Sequence, residues 1–118
     1  MSRPPLSIQV EEVEGGPSGT VVVTPRGEID YADAPVFREA LRRVGEQRPS
    51  KLVVDLSGVD YMNTPGVATL VEALQSARRH QTRLVLAGLS ERVAAVFDIA
   101  RLTRVFEIVP DRSSAIGR

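Results

Sequence analysis

Lys51-Leu52-Val53-Val54-Asp55-Leu56 runs through the short turn Ser57-Gly58-Val59-Asp60 into Tyr61-Met62-Asn63-Thr64-Pro65-Gly66, and this stretch decides the fold. Leu52, Val53, Val54 and Leu56 make the first six residues largely apolar, the pattern of a buried strand. After the turn, Val67, Leu70, Val71 and Leu74 recur at helical spacing, so a helix begins near Thr64. A Thr at a helix start can cap free backbone N–H groups. Pro65 suits the first helical position, where its missing donor is harmless. The same helix end favours negative charge, so Thr64 is either a plain cap or a hydroxyl whose phosphate would be electrostatically tolerated.

Working outward, the pattern alternates between strands and helices. Leu6, Ile8 and Val10 alternate with polar residues, and Thr20-Val21-Val22-Val23-Thr24 follows the turn cluster Glu14-Gly15-Gly16-Pro17-Ser18-Gly19. These predict an antiparallel hairpin. Asp33 is placed to cap a helix carrying Phe37, Ala40, Leu41 and Val44, closed by Gly45 and Pro49. Beyond the second helix, Arg83–Ala87 reads as a strand. Ser90 is the candidate cap of a third helix bearing Val93, Val96, Phe97 and Ala100, and Val105–Val109 reads as a last, edge strand. The tail from Pro110 to Arg118 either forms a short helix around Ala115 or frays. Such alternation predicts an α/β layer with a parallel or mixed sheet.

The 118 residues are enough for one domain with one core, expected over 1–118, with the core at about 20–110 and a tail at 110–118. Hydrophobic residues make up 42% but aromatics only 4%, so the core must rest on Val, Leu, Ile and Ala. With no cysteine there is no disulfide framework, thiolate metal site or cysteine nucleophile. Fifteen basic residues balance fifteen acidic ones, which removes a bulk electrostatic drive toward nucleic acid. No apolar run is long enough for a membrane span or a secretion signal. The expected setting is cytoplasmic, and the chain is not expected to be the attached domain of a transporter.

Three segments in register resemble the STAS domain, the fold of bacterial anti-sigma-factor antagonists and of the cytoplasmic domains of sulfate-type transporters. Gly27-Glu28-Ile29-Asp30 is similar to the family's Gly-Glu-Leu-Asp turn, and Val53-Val54-Asp55-Leu56-Ser57-Gly58-Val59 to its central strand and turn. Tyr61-Met62-Asn63-Thr64-Pro65-Gly66-Val67 stands where the family carries Asp-Ser-Ser-Gly-Leu. A weaker match runs from Val93 to Phe106, and the whole resemblance spans about Val21 to Ala115. It implies a single α/β domain with a four- to five-stranded mixed sheet and helices packed on one face, the other being left to solvent or the N-terminal hairpin.

The resemblance also implies a function and a site. The chain is expected to be a non-catalytic anti-sigma-factor antagonist that sequesters an anti-sigma factor with serine/threonine kinase activity, a histidine-kinase-like ATPase, and so frees a sigma factor. Thr64 takes the phosphoacceptor position, and a phosphatase would restore it. Glu28, Asp30, Asn63, Thr64, Pro65 and Gly66 form the expected partner-binding set, with no cofactor and no metal. Asn63 replaces the family's Asp and removes a negative charge, while Pro65 removes an N–H and stiffens the backbone. Arg101 stands where the family often ends its third helix with Gly. The alternative is a constitutive scaffold or transporter-associated subunit that uses the same face unmodified.

Other candidates have simpler readings. His80, the only histidine, lies among Arg78, Arg79 and Gln81 at a helix C-terminus, where a cation complements the dipole. Glu11, Glu12 and Glu14 read as a charged edge that discourages aggregation. Gly15, Gly16 and Gly19 precede a strand, not a helix, so they form no phosphate loop. Glu28 and Asp30 are either a polar turn, with Asp30 or Asp33 capping the next helix, or part of a site at the strand ends, where sites gather in α/β sheets.

Overall fold

The computed structural model describes residues 5–117. Its ten elements are β1 (Ser7–Val13), β2 (Thr20–Ile29), α1 (Ala34–Glu46), β3 (Lys51–Asp55), β4 (Val59–Met62), α2 (Thr64–Arg79), β5 (Arg83–Ala87), α3 (Glu91–Ile99), β6 (Glu107–Val109) and α4 (Arg112–Gly117). Five strands run in the order β1-β2-β3-β5-β6, and β4 joins the sheet only through β2. The β1–β2 hairpin is antiparallel, with Val10 opposite Val23. Every other pairing is parallel.

β2 serves two partners. Its first half, Thr20 to Val23, pairs with β3, and its far end, Gly27 to Ile29, pairs with β4. The register shifts between Gly27 and Glu28, where Gly27 adopts φ +120 and its N–H donates to the Gly58 carbonyl at 2.9 Å. That backbone conformation suits only glycine, and the bulge turns the strand away from β3 toward β4.

Period-2 alternation sorts the apolar residues onto two faces. Val21, Val23, Leu52, Val54, Leu84 and Leu86 meet Phe37, Leu41, Leu70, Leu74, Val93 and Phe97 in one large cluster under α1, α2 and α3. Val22, Val53, Val85, Ala87 and Val109 point the other way and meet Ala115 of α4, with Val13 and Ile116 beside them. The mixed α/β sheet thus has three of its helices on one face, as expected, but the other face is not left to solvent or the N-terminal hairpin: the short C-terminal helix packs there on Val22, Val53 and Val85. The tail forms its helix rather than fraying, although Arg118 lies outside the described residues.

Several boundaries differ from the sequence reading. The sheet has six strands, one beyond the expected four to five, because the four residues of β4 pair with the end of β2. The last strand begins at Glu107 instead of Val105, since Phe106 turns inward to meet Phe97 edge-on at 5.5 Å. Ser90 caps α3 as expected, accepting from Val93 N at 3.2 Å. Asp33 occupies the N-cap of α1 but makes no side-chain cap. After α3, Arg101 takes φ +59, the left-handed conformation usual for Gly, and Leu102 N closes the turn on the Phe97 carbonyl at 2.8 Å.

Candidate partner-binding site

The bulge in β2 determines what meets what. It sets Glu28 opposite Tyr61 and Ile29 opposite Met62, and Asn63 N then donates to the Ile29 carbonyl at 3.1 Å. The β2 exit therefore lies beside the junction of β4 and α2. Glu28 and Asp30 come to the same end of the molecule as Asn63, Thr64 and Pro65.

At the junction, Asn63 and not Thr64 is the N-cap residue. Its backbone is extended, with φ −97 and ψ −176, and its carbonyl accepts the first helical bond from Val67 N at 3.1 Å. Thr64 is the first helical residue and Pro65 the second, so the expectation of a capping Thr64 with Pro65 at the first position is corrected by one residue. Pro65 loses nothing there, because the N–H at the second position has no intrahelical acceptor either. Asn63 makes no side-chain cap, and its Oδ1 is buried without a partner. The N–H groups of Thr64 and Gly66 are left without a side-chain cap, at the end where the helix dipole favours negative charge.

The Thr64 side chain is exposed, and its hydroxyl has no hydrogen-bond partner among the described residues. Gly66 is buried, and a Cβ on it would fall 2.5 Å from Met62 Cγ and 3.0 Å from Ile29 Cγ2. Its role in the expected partner-binding set is thus close approach beneath the surface. One turn further on, Thr69 Oγ1 donates to the Pro65 carbonyl at 3.0 Å and keeps that hydroxyl out of reach.

Asp30 has visible structural work. Its Oδ1 accepts from Ala32 N at 3.0 Å, and its carbonyl accepts from Asp33 N at 3.1 Å and Ala34 N at 2.9 Å. Its own N–H reaches Asp33 Oδ2 at 3.4 Å. Asp30 therefore starts α1 through its backbone and an Asx turn, while Asp33 reaches back to it.

Two residues that the sequence reading did not single out stand on the same end. Tyr31 is 79% exposed, directly after Asp30. Arg92 of α3 lays its guanidinium 5.2 Å above the Tyr61 ring, a cation–π contact that ties α3 to β4. A signal was present: of five aromatic residues, the three phenylalanines are core, and both tyrosines flank the motifs at this end. His80 lies at the C-cap of α2, the opposite end of that helix from Thr64. Among the described residues no group of three or more His, Cys, Asp or Glu side chains could hold a metal ion, and no helix is long and apolar enough to cross a membrane.

A forked second strand that delivers an acidic turn to a hydroxyl-bearing helix start defines a small mixed-sheet α/β domain with its candidate site in main-chain junctions. The chain belongs to the STAS domain family, whose model matches residues 8–115. It is 35% identical over 103 residues to an anti-sigma-B factor antagonist of Listeria monocytogenes, covering 87% of this chain and 88% of the relative. Among solved structures, an anti-sigma factor antagonist from Mycobacterium paratuberculosis superposes with a TM-score of 0.85 at 24% identity, covering 98% and 95% of the two chains. The Bacillus cell fate determinant SpoIIAA, solved in its phosphorylated form, superposes with a TM-score of 0.69 at 18% identity, covering 92% and 96%.

Proposed function

We propose that this chain is an anti-sigma-factor antagonist that binds an anti-sigma factor through the end formed by Glu28, Asp30, Asn63, Thr64 and Pro65, with Thr64 as a phosphorylated switch. The observation that carries the reading is the exposed, unengaged hydroxyl of Thr64 on the first turn of α2, beside the β2 exit. The name of the Listeria relative supports the partner class. The partner would be a serine/threonine kinase of the histidine-kinase-like ATPase type. Thr64 Oγ would attack the γ-phosphorus of the ATP bound there, the bond to the ADP oxygen would break, and a partner base would take the hydroxyl proton.

The phosphate would add nearly two negative charges and three acceptor oxygens. The uncapped N–H groups of Thr64 and Gly66 favour that charge at the helix end, so the modified domain stays folded. Within a contact surface the same charge repels the partner, and the antagonist is released until a phosphatase removes it.

The test is incubation with the cognate kinase and ATP, followed by phosphosite mapping and calorimetric titration. Phosphate is expected on Thr64. Thr64→Ala should stay bound, and Thr64→Glu should bind at least about tenfold more weakly, a loss of roughly 1.4 kcal/mol. Phosphate confined to Ser57, Ser113 or Ser114 would overturn the assignment. Equal affinity of the two variants would favour the second reading, a constitutive scaffold or transporter-associated subunit. Pro65, which removes one N–H from the first turn, is the feature that speaks for it.

A further inference from the structure

α1 and α2 do not close against each other along their whole length. Toward the C-terminal end of α2 they leave a cleft of about 360 Å³, floored by Leu41, Leu52, Ala73 and Ala77. The opening follows from small side chains on facing stripes. Gly45 lies one turn beyond Leu41 on α1, and Ala73, Ser76 and Ala77 follow one another at helical spacing on α2. The volume lies within the range of small-molecule pockets, about 300–1,000 Å³.

The polar groups of the cleft divide into two sets. The carboxylates are already matched: Glu72 pairs with Arg38 at 2.7 Å across the two helices, and Glu46 pairs with Arg42. The Thr69 and Thr82 hydroxyls are committed to the carbonyls of Pro65 and Pro49. The side chains of Ser76, Arg79 and His80 have no hydrogen-bond or ionic partner among the described residues. They stand at spacings of three and four on one face of α2.

These side chains are not needed as helix caps. The last turn of α2 closes by backbone, with Gln81 at φ +59 and Thr82 N donating to the Ala77 carbonyl at 2.8 Å. The cleft therefore combines an apolar floor with uncommitted donors gathered at one end.

We infer that this cleft binds a free small molecule with an apolar body and an acidic head. The body lies over Leu41, Leu52, Ala73 and Ala77, and the head accepts from Arg79, Ser76 and His80. Arg79 contributes a charge-assisted fork suited to a carboxylate. A cationic head would meet Arg79 unshielded, because the nearby carboxylates are occupied. The site is separate from the Thr64 surface and does not depend on the function proposed for it.

Decanoate is the probe, titrated calorimetrically into the full chain. Saturable binding at one site is expected, with decyltrimethylammonium at least about tenfold weaker. Arg79→Ala should weaken decanoate roughly tenfold, the scale of one charged hydrogen bond. Gly45→Leu should abolish binding by filling the cleft. A Cβ there meets only Ser76 Oγ at 4.0 Å, and the change replaces a poor helix former with a good one; a thermal melt checks that the variant is folded. Arg104→Ala, outside the cleft, should bind as wild type. The inference is overturned if decanoate does not saturate, if folded Gly45→Leu binds it normally, or if the ammonium probe binds equally well. It also fails if the chain binds only anionic phospholipid vesicles, or if Gly45→Leu acts only by dissociating a dimer formed through this face.

Discussion

The two faces of the sheet are built on different principles. Under α1, α2 and α3, twenty buried side chains pack as one apolar cluster, against six on the face closed by α4. The smaller face also carries polar contacts to α4. Lys51 Nζ donates to the Ile116 carbonyl at 3.3 Å, and Arg112 pairs with Glu11 of β1 at 2.8 Å. A six-residue helix cannot hold itself in water, so α4 depends on docking against the sheet, through Ala115. The larger face carries the domain's stability, and the smaller one chiefly shields the central strands.

The strongest challenge to this contrast is Phe97→Ala. Phe97 is fully buried and packed edge-on against Phe106, so its loss should destabilise by about 3–5 kcal/mol in denaturant unfolding. Val53→Ala probes the other face at an equally buried position and should cost about 1–2 kcal/mol. If the two variants melt together, the faces contribute alike and the contrast fails.

The smallest expected effect sharpens the comparison through charge. Burial pushes the Lys51 ammonium below its ordinary pKa, with the nearby Arg83 cation adding to the shift and Glu107 opposing it. The folded chain therefore releases this proton at lower pH than the unfolded one. The penalty is full below the folded pKa and fades as pH rises toward the ordinary lysine value. Lys51→Met should leave stability unchanged or raise it by about 1 kcal/mol near neutral pH, with the gain shrinking under alkaline conditions. Thermal melts of both chains across pH would show it. A Met variant several degrees less stable at neutral pH would make the Lys51–Ile116 contact a genuine anchor.

Much of the fold is legible where periodicity is strong. β3 and β5 are apolar runs, and α1, α2 and α3 each carry a stripe of buried residues at helical spacing. β4 is not legible, because its four residues are fixed by hydrogen bonds to a distant strand end and not by any local pattern. The placement of Asp30 and Thr64 at one end follows from both leaving strands. The N-cap at Asn63 does not, because proline is tolerated at either of the first two helical positions. Gly45 reads in sequence as part of a helix end, and it lies one residue before the end of α1, but it also lines the cleft. Only the packed pair of helices gives it that meaning.

The junction after β4 is held by its main chain: Asn63 N to Ile29, Val67 N to Asn63, and a glycine pressed against Met62. The side chains of Asn63, Thr64 and Pro65 supply none of those bonds. Their identities can drift with little risk to the architecture, whereas Gly66 cannot. Lineages carrying this scaffold could thus exchange one recognition surface for another by a few point changes, each tolerated by the fold on its own. That freedom lets Asn63 and Pro65 stand at this junction while the backbone course on both sides is kept.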